Sequence, residues 1–261
     1  MTDTSPVDVT IEGALATVTM RRPEVHNAFD SGLIAALREA FDRLAAAPAV
    51  RVIVLAGEGR SFSAGADLNW MRRAIELSVE ENIADAERMA AMLRSVATCP
   101  KPVIARIQGG AYGGGVGLVA AVDWAIAADT ARFGFTEARL GLVPATIAPW
   151  AVAKIGAGWA RKLFLTAELI DAEFALRLGL VHAVVPPERL DAAVAEAVAL
   201  LLANGSRAMA DCKALVTAVD GHTEPAIDAY TARMIAEART RGEGQEGVRA
   251  FLGKRKPVWA E

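Results

Sequence analysis

The run KPVIARIQGGAYGGGVGL at residues 101–118 decides how this chain is built. Residues 103–108 read as a buried strand, glycines crowd the positions that follow, a short helix comes next, and residues 124–128 return to a strand. A strand that turns through glycine into a helix is a unit of α/β architecture. The same turn has a chemical implication. The first N–H groups of a helix have no partner inside it, the helix dipole is positive there, and glycine lacks the Cβ that would keep a ligand off the backbone. The cluster has neither GxGxxG nor GxxxxGK[ST] spacing, which argues against a dinucleotide fold or a P-loop.

Upstream, residues 7–11 and 14–20 alternate apolar and small polar side chains around Glu12-Gly13 and read as a hairpin. From Asp30, placed to cap a first turn, Leu33, Ile34, Leu37, Phe41 and Leu44 keep helical spacing. Residues 51–56 are a β-branched run ending at Gly57. Ser78 and Glu81 have capping-box spacing ahead of a helix over 79–97, whose buried face is read as Ile83, Ala86, Ala90, Leu93 and Ala97. Downstream of Pro149, helices are expected over 151–154, 157–165, 172–178 and 188–203, with a short strand over 181–185.

At 261 residues, 53% hydrophobic and 23% charged, the chain can bury one large core and still carry a smaller appendage. A formal net charge of -3 with interspersed signs argues against nucleic acid or an anionic membrane as the main partner. Residues 1–9 lack the basic and apolar regions of a leader, so the expected location is cytoplasmic. The longest uncharged stretch, 107–122, is too short and too rich in glycine to span a bilayer as a helix. Cys99 and Cys212 have no metal or redox spacing, and both are read as buried thiols. No metal site is expected.

A second turn, Ser63-Ala64-Gly65-Ala66-Asp67, also follows a strand and a polar loop and leads into what reads as an apolar turn at residues 68–71. Two such turns, each presenting one N–H to a common point, would stabilise an oxygen that gains negative charge during reaction.

Six segments in order resemble the crotonase family of enoyl-CoA hydratases and isomerases: RRPEVHNAF at 21–29, FSAGADL at 62–68, the glycine run at 101–118, FGFTEARLGLVP at 133–144, LGLVHAVVP at 178–186 and EGVRAFLGKRKP at 246–257. The resemblance implies a crotonase-like α/β fold, a spiral of ββα turns over 1–200, followed by a helical segment over 201–261 used to form a homotrimer or a dimer of trimers. It implies an acyl-CoA substrate and no cofactor beyond that coenzyme A. By position it assigns the oxyanion donors to the N–H groups of Ala66 and Gly114. Val25, His26, Ala28, Ala64, Asp67 and Leu68 would lie along the CoA path, with Tyr112 and Gly117 near the acyl group. Of the two glutamates that family hydratases use, one maps to Glu137, and the other maps to Gly117, which has no side chain.

That departure prevents a direct transfer of the two-glutamate mechanism. A branch with a similar GGGVGL and LGLVPATIAP pattern includes bacterial methylglutaconyl-CoA hydratase-like proteins of leucine and isoprenoid breakdown, so the expected reaction is hydration of a branched or carboxylated enoyl-CoA. Isomerisation by Glu137 as a single base is the alternative, and non-catalytic CoA binding is a third. Phe133 and Phe135 are expected to supply an apolar pocket around Glu137, and the space beside Gly117 is expected to be open to substrate or water. Asp123 is read as a backbone anchor, His182 as a core histidine, and Met89 and Met92 as packing.

Overall fold

A computed structural model describes residues 5–260. The leader reading rests partly on residues 1–4, outside the described residues. β1 (Val7–Glu12) and β2 (Leu15–Met20) form the antiparallel hairpin read from the sequence. β3 (Val52–Gly57) and β4 (Val103–Ile107) extend it in parallel, and β5 (Ala111–Tyr112) leaves for a second sheet. β6 (Trp124–Ala128) returns to the first sheet, β7 (Arg132–Gly134) and β8 (Ile170–Asp171) complete the second, and β9 (Ala183–Val185) closes the first. The orders are β1-β2-β3-β4-β6-β9 and β5-β7-β8. Strands that alternate between two sheets, with helices between them, give the spiral of ββα turns.

The helices are α1 (Ser31–Ala46), α2 (Leu68–Glu76), α3 (Val79–Ala97), α4 (Gly114–Ala121), α5 (Ala148–Thr166), α6 (Ala172–Arg177), α7 (Leu190–Leu202), α8 (Ser206–Val219), α9 (Pro225–Thr240) and α10 (Gly242–Leu252). Two begin where local chemistry requires. Asp30 accepts from the Leu33 N–H at 2.8 Å, and Ser78 and Glu81 exchange bonds in a complete capping box. Because Ser78 satisfies a helix N–H that would otherwise be orphaned, Ser78→Ala is expected to lower stability by about 1 kcal/mol, read from the denaturant midpoint at unchanged slope. No change in the midpoint would show that the cap is dispensable. No helix among the described residues is, by itself, long and apolar enough to cross a membrane.

The period of two along β3 divides its side chains between two cores. Ile53 and Leu55 join the large core with Phe41, Met92, Val116 and Leu163, whereas Val52 and Val54 pack with Leu190, Val194 and Val198 of α7 on the other face. Arg51, just before β3, donates to Ser206 Oγ and to the carbonyls of Leu202, Asn204 and Trp259 at 2.6–3.0 Å. One guanidinium thereby holds the α7–α8 turn and the end of the chain to the sheet.

Several sequence readings need correction. The buried face of α3 is Met89, Met92, Leu93 and Val96, and Ile83 is 53% exposed, because the first half of the helix projects past the core. Residues 68–71 are not a turn but the start of α2, an amphipathic helix in which Leu68, Met71 and Ile75 keep helical spacing although none of its residues is fully buried. The helices expected over 151–154 and 157–165 are one element broken at Gly156, whose φ of 74° and ψ of 155° are not helical. Cys212 is exposed, on α8; only Cys99 is buried. The second sheet went unread, since strands of two or three residues carry no periodicity.

Asp123 anchors backbone as read, whereas His182, read as a core histidine, is exposed just before β9 and is held by a main-chain N–H instead of by core packing. Asp123 accepts from the Val103 N–H at 2.8 Å and from Lys213 Nζ at 2.6 Å, and His182 Nδ1 accepts from the Ala125 N–H at 3.0 Å. Met89 and Met92 lie in the core.

Candidate active site

Three loops meet at the C-terminal ends of β2, β3 and β4, and main-chain hydrogen bonds join them. The Ser63 N–H donates to the Gly110 carbonyl at 3.1 Å and the Tyr112 N–H to the Ser63 carbonyl at 3.0 Å, a parallel bridge between the two glycine turns. On the other side, the Phe29 N–H donates to the Gly65 carbonyl at 2.6 Å and the Asp67 N–H to the Phe29 carbonyl at 2.9 Å. Gly65 and Gly113, the residues just before the two candidate donors, have φ of 86° and 50°, a region that L side chains rarely adopt. They also touch: a Cβ on Gly65 would lie 2.7 Å from the Tyr112 carbonyl oxygen and 3.5 Å from Gly113 Cα.

The N–H groups of Ala66 and Gly114 donate no hydrogen bond among the described residues. Gly114 is the first residue of α4, where an unpartnered N–H is the rule, and Ala66 lies in the loop bonded to Phe29 on either side of it. A Cβ on Gly114 would not point toward a ligand. It would lie 2.8 Å from Met89 Cε and 3.0 Å from Phe29 Cδ2, in the core.

Glu137 opens a 3-10 helix, Glu137–Leu140, just after β7. The Gly113 N–H bonds the Gly134 carbonyl at 2.9 Å, which ties the glycine turn to this strand, and a Cβ on Gly113 would come 3.4 Å from Glu137 Oε1. Glu137 Oε2 is buried and has no hydrogen-bond partner among the described residues. Burial raises this carboxyl above the usual carboxylate range, against the opposing effect of its own backbone N–H. Phe133 and Phe135 are both fully buried in the same segment. A carboxyl with an orphaned oxygen and increased proton affinity, beside two free N–H donors, is suited to moving a proton next to a developing anion.

The other sequence-selected residues divide. Ala64 and Leu68 are exposed and free to meet a ligand, whereas Val25 is half-buried and Ala28 is buried. His26, with φ of 55°, bonds Ser61 Oγ through Nδ1 at 3.0 Å. Tyr112 folds its ring back over Gly110, where a Cβ would lie 2.8 Å from the hydroxyl. The Asp67 carboxylate is occupied in building the loop: it caps α2 through the N–H groups of Asn69 and Trp70 and pairs with Arg22 at 3.2 Å. Burial alone would raise the Asp67 carboxyl, but those two N–H groups and the guanidinium outweigh it and hold it below the usual range.

Gly117 is where the sequence reading fails. The space beside it is not open: a Cβ there would overlap the Cγ2 methyl of Ile147 and lie 2.8 Å from Ile147 Cβ.

Sequence reasoning missed three residues that shape this region. Ile147 gave no local signal. Arg22 and Asn27 stood inside the RRPEVHNAF run, where they were passed over for their ligand-lining neighbours. Arg22 donates to the Ala28 carbonyl and pairs with Asp30 and Asp67, and Asn27 accepts from the Arg22 N–H and donates to the Glu58 and Ser61 carbonyls. Arg22→Ala is expected to lower stability by about 2 kcal/mol, the scale of a lost hydrogen bond to a charged group, and to lower kcat by loosening the Ala66 loop. Parent values of both would show that Arg22 does not hold the loop.

The chain matches the enoyl-CoA hydratase/isomerase family over residues 10–261. It is 32% identical over 252 residues to the crotonyl-CoA hydratase of Syntrophomonas wolfei subsp. wolfei, covering 94% of each chain. It is 33% identical over 257 residues to the (E)-benzylidenesuccinyl-CoA hydratase of Thauera aromatica, covering 97% of this chain and 98% of that one. Its fold superposes on the crystal structure of an enoyl-CoA hydratase from Shewanella pealeana with a TM-score of 0.94 at 37% identity, covering 97% and 96% of the two chains. With the match running through both glycine turns, Glu137 and the terminal helices, the chain belongs to the crotonase family of enoyl-CoA hydratases and isomerases.

Proposed function

We propose that this chain, an enoyl-CoA hydratase-type enzyme acting on unsaturated acyl-CoA, adds water to a branched or carboxylated enoyl-CoA of the methylglutaconyl-CoA kind, with Glu137 as the proton carrier. The observation that carries the mechanism is the buried, unpartnered Oε2 of Glu137 beside the turn that ends in the free Gly114 N–H. Glu137 takes a proton from water as the water oxygen bonds the β carbon. The double-bond electrons move onto the thioester oxygen, which accepts from the N–H groups of Ala66 and Gly114. The enolate then collapses and takes the same proton from Glu137 at the α carbon. The proton returns to where it is needed, so one carboxyl suffices, and no cofactor is required beyond the CoA of the substrate. The branched or carboxylated acyl group is supported by the relative named for benzylidenesuccinyl-CoA, an acyl group with a second carboxyl.

Val25, His26, Ala28, Ala64, Asp67 and Leu68 form the CoA path in this reading, with Tyr112 toward the acyl group. The segment 201–261 serves assembly, supported by its exposed apolar residues: Phe251 and Leu252 on α10 are 82% and 74% exposed. Sedimentation equilibrium is expected to return the mass of three or six chains; a monomer would overturn that assignment.

A second reading, double-bond isomerisation, is favoured by the apolar contact at Gly117, since one carboxylate without a water-holding partner can shuttle a proton between two carbons. Turnover in heavy-oxygen water across linear, branched and carboxylated enoyl-CoAs separates the two. Hydration incorporates the label, with the highest kcat/KM expected on a branched or carboxylated substrate. A rearranged, unlabelled product would establish isomerisation, and turnover of none would leave a CoA-binding protein.

A further inference from the structure

We propose that Ile147 and Gly117 form one coupled unit that determines how the site uses its carboxylate: Ile147 fills the volume that a side chain at 117 would need, and so denies Glu137 an acidic neighbour. The inference rests on Glu137 being the proton carrier.

The geometry follows from α4. The Gly117 N–H donates to the carbonyl of Gly113, the residue that caps α4, at 3.1 Å, so the two are one hydrogen-bonded turn apart, about 6 Å along the axis. Gly113 faces Glu137, at 3.4 Å from Oε1 to an added Cβ, and Gly117 faces Ile147. An acidic side chain at 117 would therefore start one turn along α4 from Gly113, the glycine that borders Glu137. Ile147 occupies that start. It is 1% exposed, and its carbonyl accepts from the Ala151 N–H at 3.0 Å in the first turn of α5, which fixes its backbone. Its β-branch leaves few rotamers. Leu93 Cδ2, 3.8 Å from the added Cβ, stands behind it. A glutamate at 117 thus meets a rooted, buried β-branch rather than water.

Two of the contacts grade the test. The overlap with the Cγ2 methyl is relieved by Ile147→Ala, whereas the 2.8 Å approach of Ile147 Cβ is relieved only by Ile147→Gly. Positions 117 and 147 should therefore show strong non-additivity of one sign, ordered by what remains at 147.

The experiment uses the parent, Gly117→Glu, Ile147→Ala, Ile147→Gly and the two double variants, each measured by thermal unfolding and by the pH dependence of kcat/KM on crotonyl-CoA. Gly117→Glu alone is expected to lower Tm by several degrees and kcat/KM at least tenfold. Ile147→Ala is expected to restore part of the Tm in the Gly117→Glu background and Ile147→Gly more, although each lowers Tm by itself. The parent profile is expected to show one carboxyl ionisation. The Gly117→Glu/Ile147→Gly protein is expected to show two, displaced from each other because neighbouring like charges resist joint ionisation. Parent-like Tm and a single ionisation in Gly117→Glu, or failure of both Ile147 variants to restore Tm in that background, would overturn the proposal. Parent-like activity in Glu137→Gln would remove the reading of Glu137 and leave the Tm coupling standing, so the two failures are distinguishable.

Discussion

Replacing Glu137 by Gln is expected to lower kcat by about 100- to 10,000-fold, the range for loss of a positioned general acid–base, with little change in affinity for a CoA thioester. Shape is retained and only the transferable proton is lost, so the effect should fall on kcat and kcat/KM together. The same substitution makes a stability prediction of definite sign. Burial raises the Glu137 carboxyl, so the folded state holds its proton at pH values where the unfolded chain has released it. Stability of the parent therefore falls as pH rises from the ordinary carboxylate pKa through the raised one, and the amide carries no such penalty. Glu137→Gln should unfold at a higher temperature than the parent at neutral pH, with the difference vanishing at pH values below the ordinary carboxylate range. Loss of activity together with unchanged or lower neutral-pH stability would mean that the carboxylate is solvated and that its environment does not tune it.

Gly114→Val is expected to reduce kcat/KM by about 100- to 1000-fold, as for loss of one oxyanion donor, and for a reason the sequence did not suggest. The new side chain would enter the core, not the ligand. Met89 Cε at 2.8 Å sits at the end of a flexible chain and can yield, but Phe29 at 3.0–3.1 Å belongs to the segment whose N–H and carbonyl hold the Ala66 loop. Displacing that ring shifts both donors at once. A stability cost of about 1–3 kcal/mol from overpacking should accompany the kinetic loss, and Met89→Ala, by opening space, should recover part of both. Recovery of stability without rate would place the damage in the N–H of residue 114 itself. Parent kinetics in a folded Gly114→Val protein would remove Gly114 from the mechanism.

The legible parts of the chain were those encoded locally. The caps at Asp30 and Ser78, the hairpin at Glu12-Gly13 and the β-branched run of β3 each announce themselves within a few residues, and each stands in the structure. The unread parts depend on contacts across sequence. β5, β7 and β8 exist as strands only because residues near 111, 133 and 170 meet, and the face of α3 is set by where the core ends rather than by helical spacing. Within the site, Glu137 looked like any surface glutamate until its segment was matched to a family, and its burial could not be foreseen from Phe133 and Phe135 alone. Gly117 was recognised as a departure, yet its counterpart lay thirty residues away in an isoleucine with nothing unusual around it.

The parallel bridges that join residues 29, 63, 66 and 111 have a consequence for how such a site can change over time. Because the two candidate anion-binding groups belong to the main chain and are held by other main-chain groups, no side chain exchange alters their chemical identity. Mutational drift can therefore reshape the surroundings, swapping a carboxylate for a hydrocarbon, while the two N–H groups proposed here to hold the thioester oxygen remain available wherever the exchange leaves the main chain in place. A lineage built this way can sample new acyl chains without first losing its grip on their common handle.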